Sequence, residues 1–199
     1  MSSSRSPVPP TIAEIETMDE RFQISPLIRG TLIGVYLALV LPLPLMAPPG
    51  LRPLLLLAAP IGLAVVWALL SEQVLLNDQR IQVGYPRWCA WLLRRGWQLP
   101  WQEISRLVPM GTSQGGTVYY VSSARQEHYL LPQRLDRFEH FLERFQTASG
   151  LDTSQVQRLT PPWTYQLLAL LAALMLTAEL VVFGAIGTGW LTLPAGPPG

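Results

Sequence analysis

Residues Tyr165–Ile186 read YQLLALLAALMLTAELVVFGAI, a run with one carboxylate, Glu179, and no base. A helix needs roughly 17–25 apolar residues to cross about 30 Å of hydrocarbon. In lipid the backbone must satisfy its own hydrogen bonds, so a run of this kind is a helix. Two more precede it, from about Thr31 to Ala47 and from about Pro53 to Leu70. Pro42 and Pro44 interrupt the end of the first. Pro60 is expected to kink the second, because it removes a backbone donor.

The rest of the composition agrees. Of 199 residues, 49% are hydrophobic and 14% charged, where a soluble domain carries about 25% charge. The first span reads as an uncleaved anchor. Glu14, Glu16, Asp19 and Glu20 precede it, and Leu45-Met46-Ala47 is a poor cleavage site. Residues 1–10 are Ser/Pro-rich and are expected to be disordered. All fourteen basic residues are Arg. Three precede the first span and ten lie between Arg80 and Arg158, whereas only Arg52 lies in the turn between spans one and two. Arginine collects on the cytoplasmic side of membranes. The split therefore predicts a cytoplasmic N-terminus and middle domain, with the C-terminus across the bilayer.

Counting excludes several chemistries. Without Lys there is no phosphate-loop lysine and no Schiff base. Cys89 is the only cysteine, so a disulfide, a redox pair or a cysteine-based zinc or iron–sulfur site cannot form within the chain. His128 and His140, the only histidines, make no zinc-helix motif and are expected to be surface groups. No metal and no cofactor is expected. A net charge of +1 gives no pull toward nucleic acid, which is not expected as a partner.

Five segments follow: a polar tail at 1–27, a helical hairpin at 28–71, a β-rich domain at 72–160, a third span at 161–188 and a short tail at 189–199. In the β-rich domain, Val74-Leu75-Leu76, the turn Asn77-Asp78-Gln79, and then Ile81, Val83 and Tyr85 alternating with polar residues read as strand, turn, strand. Trp97–Trp101 and Ile104–Val108 read as further strand pieces. Gly111–Gly116 is a loop, and Thr117–Ser122 with Glu127–Leu131 a hairpin. Leu135, Phe138, Phe141, Leu142 and Phe145 recur at helical spacing, bracketed by Pro132 and Gly150. The fold class is α+β: three transmembrane helices plus a small β domain closed by one amphipathic helix.

Short strands closed by one helix make the pleckstrin-homology-like plan. Leu76-Asn77-Asp78-Gln79-Arg80-Ile81-Gln82-Val83 with Leu99-Pro100-Trp101-Gln102-Glu103-Ile104 resembles bacterial membrane proteins that carry such a domain after a helical hairpin. The architecture also resembles the photosystem I assembly factors that pair two spans with a small β domain, although those lack a third span. Over nearly the whole chain, Gly115-Gly116-Thr117-Val118-Tyr119-Tyr120, Tyr129-Leu130-Leu131-Pro132, Gly150-Leu151-Asp152-Thr153 and Pro162-Trp163 resemble a family of cyanobacterial thylakoid membrane proteins. That resemblance implies a thylakoid location and partners in photosynthetic membrane complexes. It implies no particular reaction.

Two places stand out as candidate sites. The segment from Tyr85 to Trp97 combines Arg87, Arg94 and Arg95 with Trp88, Trp91 and Trp97. Trp and Arg suit both a headgroup layer and a protein interface. The segment is therefore expected to touch the membrane or a partner, the alternative being that its Trp residues fill the domain core. Cys89 within it is expected to be a small buried side chain. Glu179 lies about 21 Å along the third span from Tyr165. Intramembrane carboxylates are functional candidates. The plainer reading is a protonated side chain, or one that reaches the far interface, with Arg52 as its only candidate Arg partner. Together these favour a non-enzymatic membrane adaptor or assembly factor with the lipid bilayer and other membrane proteins as partners. The alternative is a small transporter-like or catalytic membrane protein that uses Glu179.

Overall fold

The computed structural model describes residues 20–93, 96–113 and 115–190. Among them, three helical stretches are long and apolar enough to cross a membrane: Pro26–Met46, Arg52–Leu69 and Pro162–Gly187. The first is two pieces, α1 (Pro26–Val40) and α2 (Pro42–Met46), joined at Leu41. Pro42 has no N–H with which to continue the ladder, so the break falls there. The next, α3 (Arg52–Leu69), runs through Pro60 as one helix.

Small residues let these helices approach. The Thr31 hydroxyl donates to the Tyr165 carbonyl of the last long helix at 3.3 Å. Gly34 faces Ala172, and Ala38 and Ala172 are buried. The two pairs occur in the same order along both helices, so these helices run parallel. Tyr36 caps the contact with α3, donating its hydroxyl to the Ala59 carbonyl at 2.6 Å beside Gly62.

The remaining elements form two antiparallel sheets and one amphipathic helix. The first sheet has the order β1 (Glu20–Gln23), β2 (Gln73–Leu76), β3 (Arg80–Gly84), β4 (Trp97–Pro100). The second has the order β5 (Ile104–Gly111), β6 (Thr117–Ser123), β7 (His128–Leu130). Alternation decides which face is buried: Val74, Leu76, Ile81, Val83 and Leu99 point inward. The helix α4 (Phe138–Ser149) lays Phe138, Phe141 and Phe145 over that core, the i, i+3, i+7 stripe of an apolar helix face. It stops at Gly150, whose φ of 72° suits a residue without Cβ. The last helix, α5 (Pro162–Gly187), then leads away.

One segment differs from the sequence reading. Glu20–Gln23, read there as part of the polar tail, form an edge strand with Phe22 opposite Val74. Phe22 is fully buried, and Ile24 bridges to Leu135. Four residues with one apolar side chain are too short to show a period, and their partner strand lies beyond the whole helical hairpin. The hairpin is thus inserted between the first and second strands of a sheet. The strands and the amphipathic helix read from 73 to 150 appear with two changes: Leu135 lies before the helix, which starts at Phe138, and bridges to Ile24, and Trp101 falls in a 3-10 turn after a strand that ends at Pro100. The remainder of the tails, 1–19 and 191–199, lies outside the described residues.

Candidate functional site

The chain path gives the β domain two distinct ends. β1 ends three residues before α1, β2 begins four residues after α3, and Arg158 and Thr160 share a small cleft with Ser25, Ile28, Pro162 and Tyr165. This is the helix end. The register Gln73↔Gly84 and Val83↔Trp97 places the β3–β4 loop there. The β5–β6 turn lies there as well, because Gly116 packs on Leu159 and the Gln133 amide donates to the carbonyls of Thr117 (3.0 Å) and Gln157 (2.6 Å). The far end gathers the other turns. Trp101 N donates to Gln79 O at 3.1 Å and Ala124 N to Glu103 O at 2.8 Å.

The β3–β4 loop coils into short turns. The amides of Cys89 and Ala90 donate to Pro86 O, and those of Leu92 and Leu93 to Cys89 O. Cys89 is buried beneath it, as expected for a small apolar side chain. Trp88 and Trp91 point outward, 54% and 80% exposed, and the Trp91 indole N–H donates to Trp88 O at 2.9 Å. Leu92 and Arg87 are exposed beside them. Arg94 and Arg95 lie outside the described residues. Trp97 behaves differently: it packs on the core and stacks on Tyr129, ring centroids 5.0 Å apart. Of the three tryptophans, only Trp97 takes the core-filling role.

A groove of about 540 Å³ runs beside β7. Trp97, Tyr120, Tyr129 and Tyr85 give it aromatic walls, and Glu72, His128 and Leu130 complete it. Among the described residues, β7 pairs with β6 alone, and its outer edge carries no strand. No reading of the sequence found this groove, because its walls come from four separate strands. Burial pushes the Glu72 carboxyl above its ordinary range, while the Arg134 charge pulls the other way. The Tyr129 hydroxyl donates to Glu127 at 2.8 Å, which raises its phenol above the usual value.

Ser122 Oγ and His128 Nδ1 lie 2.7 Å apart, with Ser122 buried in the sheet. His140 lies 2.7 Å from Glu20, a neighbour invisible in sequence at a separation of 120 residues. Among the described residues, no three His, Cys, Asp or Glu gather as a metal ion requires.

Glu179 lies on α5, seven residues from Ala172 and so on the same face, toward α1. One of its oxygens is buried and has no hydrogen-bond partner among the described residues. The suggested pairing with Arg52 is not present: the Arg52 guanidinium instead donates to Ala47 O at 3.0 Å, within its own turn. Arg52 opens α3, next to the turn whose Ala47 carbonyl accepts from it.

No protein-family model and no solved structure matches the chain. A protein of the cyanobacterium Synechocystis sp., described as "Uncharacterized protein slr0269", is 38% identical over 188 residues. The match covers 92% of this chain and 94% of that one, so it includes the helical hairpin, the β domain and the third long helix. At that identity over that length, the chain belongs to the same cyanobacterial family as the Synechocystis protein.

Proposed function

We propose that the protein is a multi-pass membrane adaptor or assembly factor, without catalytic activity, that serves photosynthetic complexes of the thylakoid. Its N-terminus and β domain face the cytoplasm, following the arginine distribution. The four-plus-three strand order with a closing helix supports a pleckstrin-homology-like build for that domain. The observation that carries the reading is the groove beside β7. It combines an unpaired strand edge with aromatic walls, and an extended segment of a partner protein would gain main-chain hydrogen bonds and side-chain pockets there. Purification from native membranes in mild detergent tests this. A membrane-protein complex at a fixed ratio, lost on Leu130→Pro, is the expected result. A protein recovered alone with a turnover of its own would overturn it.

A second reading has one specific observation behind it. The unpartnered Glu179 oxygen in the α1–α5 seam is what a proton-linked site in a transporter-like protein would present. Glu179→Gln separates the two. Normal accumulation and complex assembly fit the adaptor, and a phenotype as severe as loss of the whole protein fits the second reading.

A further inference from the structure

Among the described residues, the β domain exposes five large apolar side chains: Trp88, Trp91, Leu92, Met110 and Leu130. All five lie at the helix end. Trp88, Trp91 and Leu92 are in the β3–β4 loop, Met110 is at the end of β5, and Leu130 is at the end of β7. The far end, built from the turns around Asn77, Glu103 and Arg125, exposes none. Exposed apolar groups gathered on one side mark an interaction surface.

The chain path decides what that surface meets. Gln73 is four residues beyond the end of α3 and so within about 14 Å of it; it pairs with Gly84, so the root of the loop lies one strand spacing further, within about 19 Å of the end of that helix. From Gly84 the loop continues toward the helices. Exposed Trp67 near the end of α3 and exposed Trp163 at the start of α5 lie on the same side, with the Arg29 guanidinium 5.1 Å from the Trp67 ring centre. If the long helices span a bilayer, Trp88 and Trp91 join a ring of interfacial aromatics. The Trp91 N–H already has its acceptor within the loop, so the ring enters an apolar layer without stranding a donor. Arg87 at the loop's start supplies a cation for headgroup phosphate.

We infer that the β3–β4 loop, through Trp88, Trp91 and Leu92, is inserted in the headgroup layer of the bilayer and fixes the β domain flat against the membrane. This rests on the reading of the three long helices as spans. The test uses the purified full chain in vesicles of phosphatidylglycerol and phosphatidylcholine. In a Cys89→Ala background, an environment-sensitive fluorophore is attached to Leu92→Cys, to Trp91→Cys, to Asp78→Cys at the far end, or to Leu174→Cys on the exposed face of α5. The expected result is blue-shifted emission and loss of iodide quenching at positions 91 and 92, full quenching at 78, and complete protection at 174. Position 92 keeps both tryptophans in place, so it reports even where the change at 91 disturbs the loop. Aqueous behaviour at 92 with protection at 174 would overturn this inference and leave the spans standing. Aqueous behaviour at 174 as well would overturn the spans themselves. Protection at 92 that appears only in native membranes would overturn bilayer insertion and assign the loop to a protein partner.

Discussion

The two ends of the β domain each carry a tryptophan-bearing turn, and the two are built in opposite senses. At the far end Trp101 is 7% exposed, lies edge-on to Phe145 at 5.6 Å, and donates its indole N–H to Asn77 O at 2.8 Å. At the helix end Trp91 is almost fully exposed and donates only within its own loop. One ring closes the core; the other belongs to whatever lies outside. The difference comes from backbone setting. Trp101 begins a short 3-10 turn (Trp101–Glu103) between two strands of different sheets, where a ring pointing inward plugs the end of the core. Trp91 sits on a coil whose one buried position, among the described residues, is taken by Cys89.

The sharpest way to break this comparison is to remove both rings. Trp101→Ala should cost about 3–5 kcal/mol, because it empties a packed site and removes the part-buried hydrogen bond to Asn77 O. Trp91→Ala should change stability by less than about 0.5 kcal/mol. Denaturant unfolding of the detergent-solubilised chain, followed by far-UV dichroism, measures both. Equal losses would mean that the two turns are not opposite in kind.

A smaller effect is expected from two glycines that face each other at the root of the loop. A Cβ on Gly96 would overlap the Val83 carbonyl oxygen and press on the Gly84 Cα, both backbone atoms that cannot swing aside. A Cβ on Gly84 would meet Gly96 Cα at 3.5 Å, an ordinary contact. Gly96→Ala should therefore cost about 1–3 kcal/mol and displace the loop. Gly84→Ala should be close to neutral. Thermal unfolding of the two variants shows whether the loop's root is as tight as the geometry requires.

Much of this was legible in the chain, and the losses have physical causes. The long helices announce themselves by length and hydropathy, which act locally. The strand–turn–strand at 73–84 is equally local, because Asn77 folds its own turn by accepting from the amides of Gln79 and Arg80 at 3.0 and 2.9 Å. The first strand was lost because Phe22 has meaning only opposite Val74, across the inserted hairpin. The groove was lost for the same reason: Trp97 and Tyr129 meet through tertiary stacking, with no shared period. The Trp/Arg segment could be found, but sequence could not divide it. Strand register puts Trp97 in phase with buried Leu99, whereas Trp88 and Trp91 fall outside any strand and have no such phase.

Glu72 sharpens the comparison through pH. It is an acid at the helix end, lining the groove, and burial raises its pKa. A raised folded-state pKa means that the native state binds more protons than the unfolded state across the interval between the two values. Stability should fall as pH rises from the ordinary carboxylate range through that raised value, and then level off. Glu72→Gln should remove this fall, giving a gain of under about 1 kcal/mol at neutral pH and none in acid. Unfolding curves across pH 4 to 8 would test it, those values being a chosen range on the order of the carboxylate titration. A gain that persists in acid would trace the effect to packing instead of charge.

An effect of similar size and opposite sign is predicted for Arg158, also at the helix end, which donates two hydrogen bonds to Glu139 at 3.1 and 2.9 Å. These bonds hold the Glu139 carboxyl below its ordinary pKa. The sign is opposite to that of Glu72. The stabilisation is present above the unfolded-state pKa and is lost as pH falls through the depressed folded value. The Glu139 side chain is 73% exposed, so solvent screens most of the attraction. Arg158 also lies over the Phe138 ring at 5.5 Å, a contact independent of the Glu139 charge. Glu139→Gln should thus cost at most about 1 kcal/mol at neutral pH and nothing in acid. Arg158→Gln should cost slightly more and retain part of its loss in acid, because the ring contact goes too. Identical pH dependence in the two variants would show that the ring contact contributes nothing.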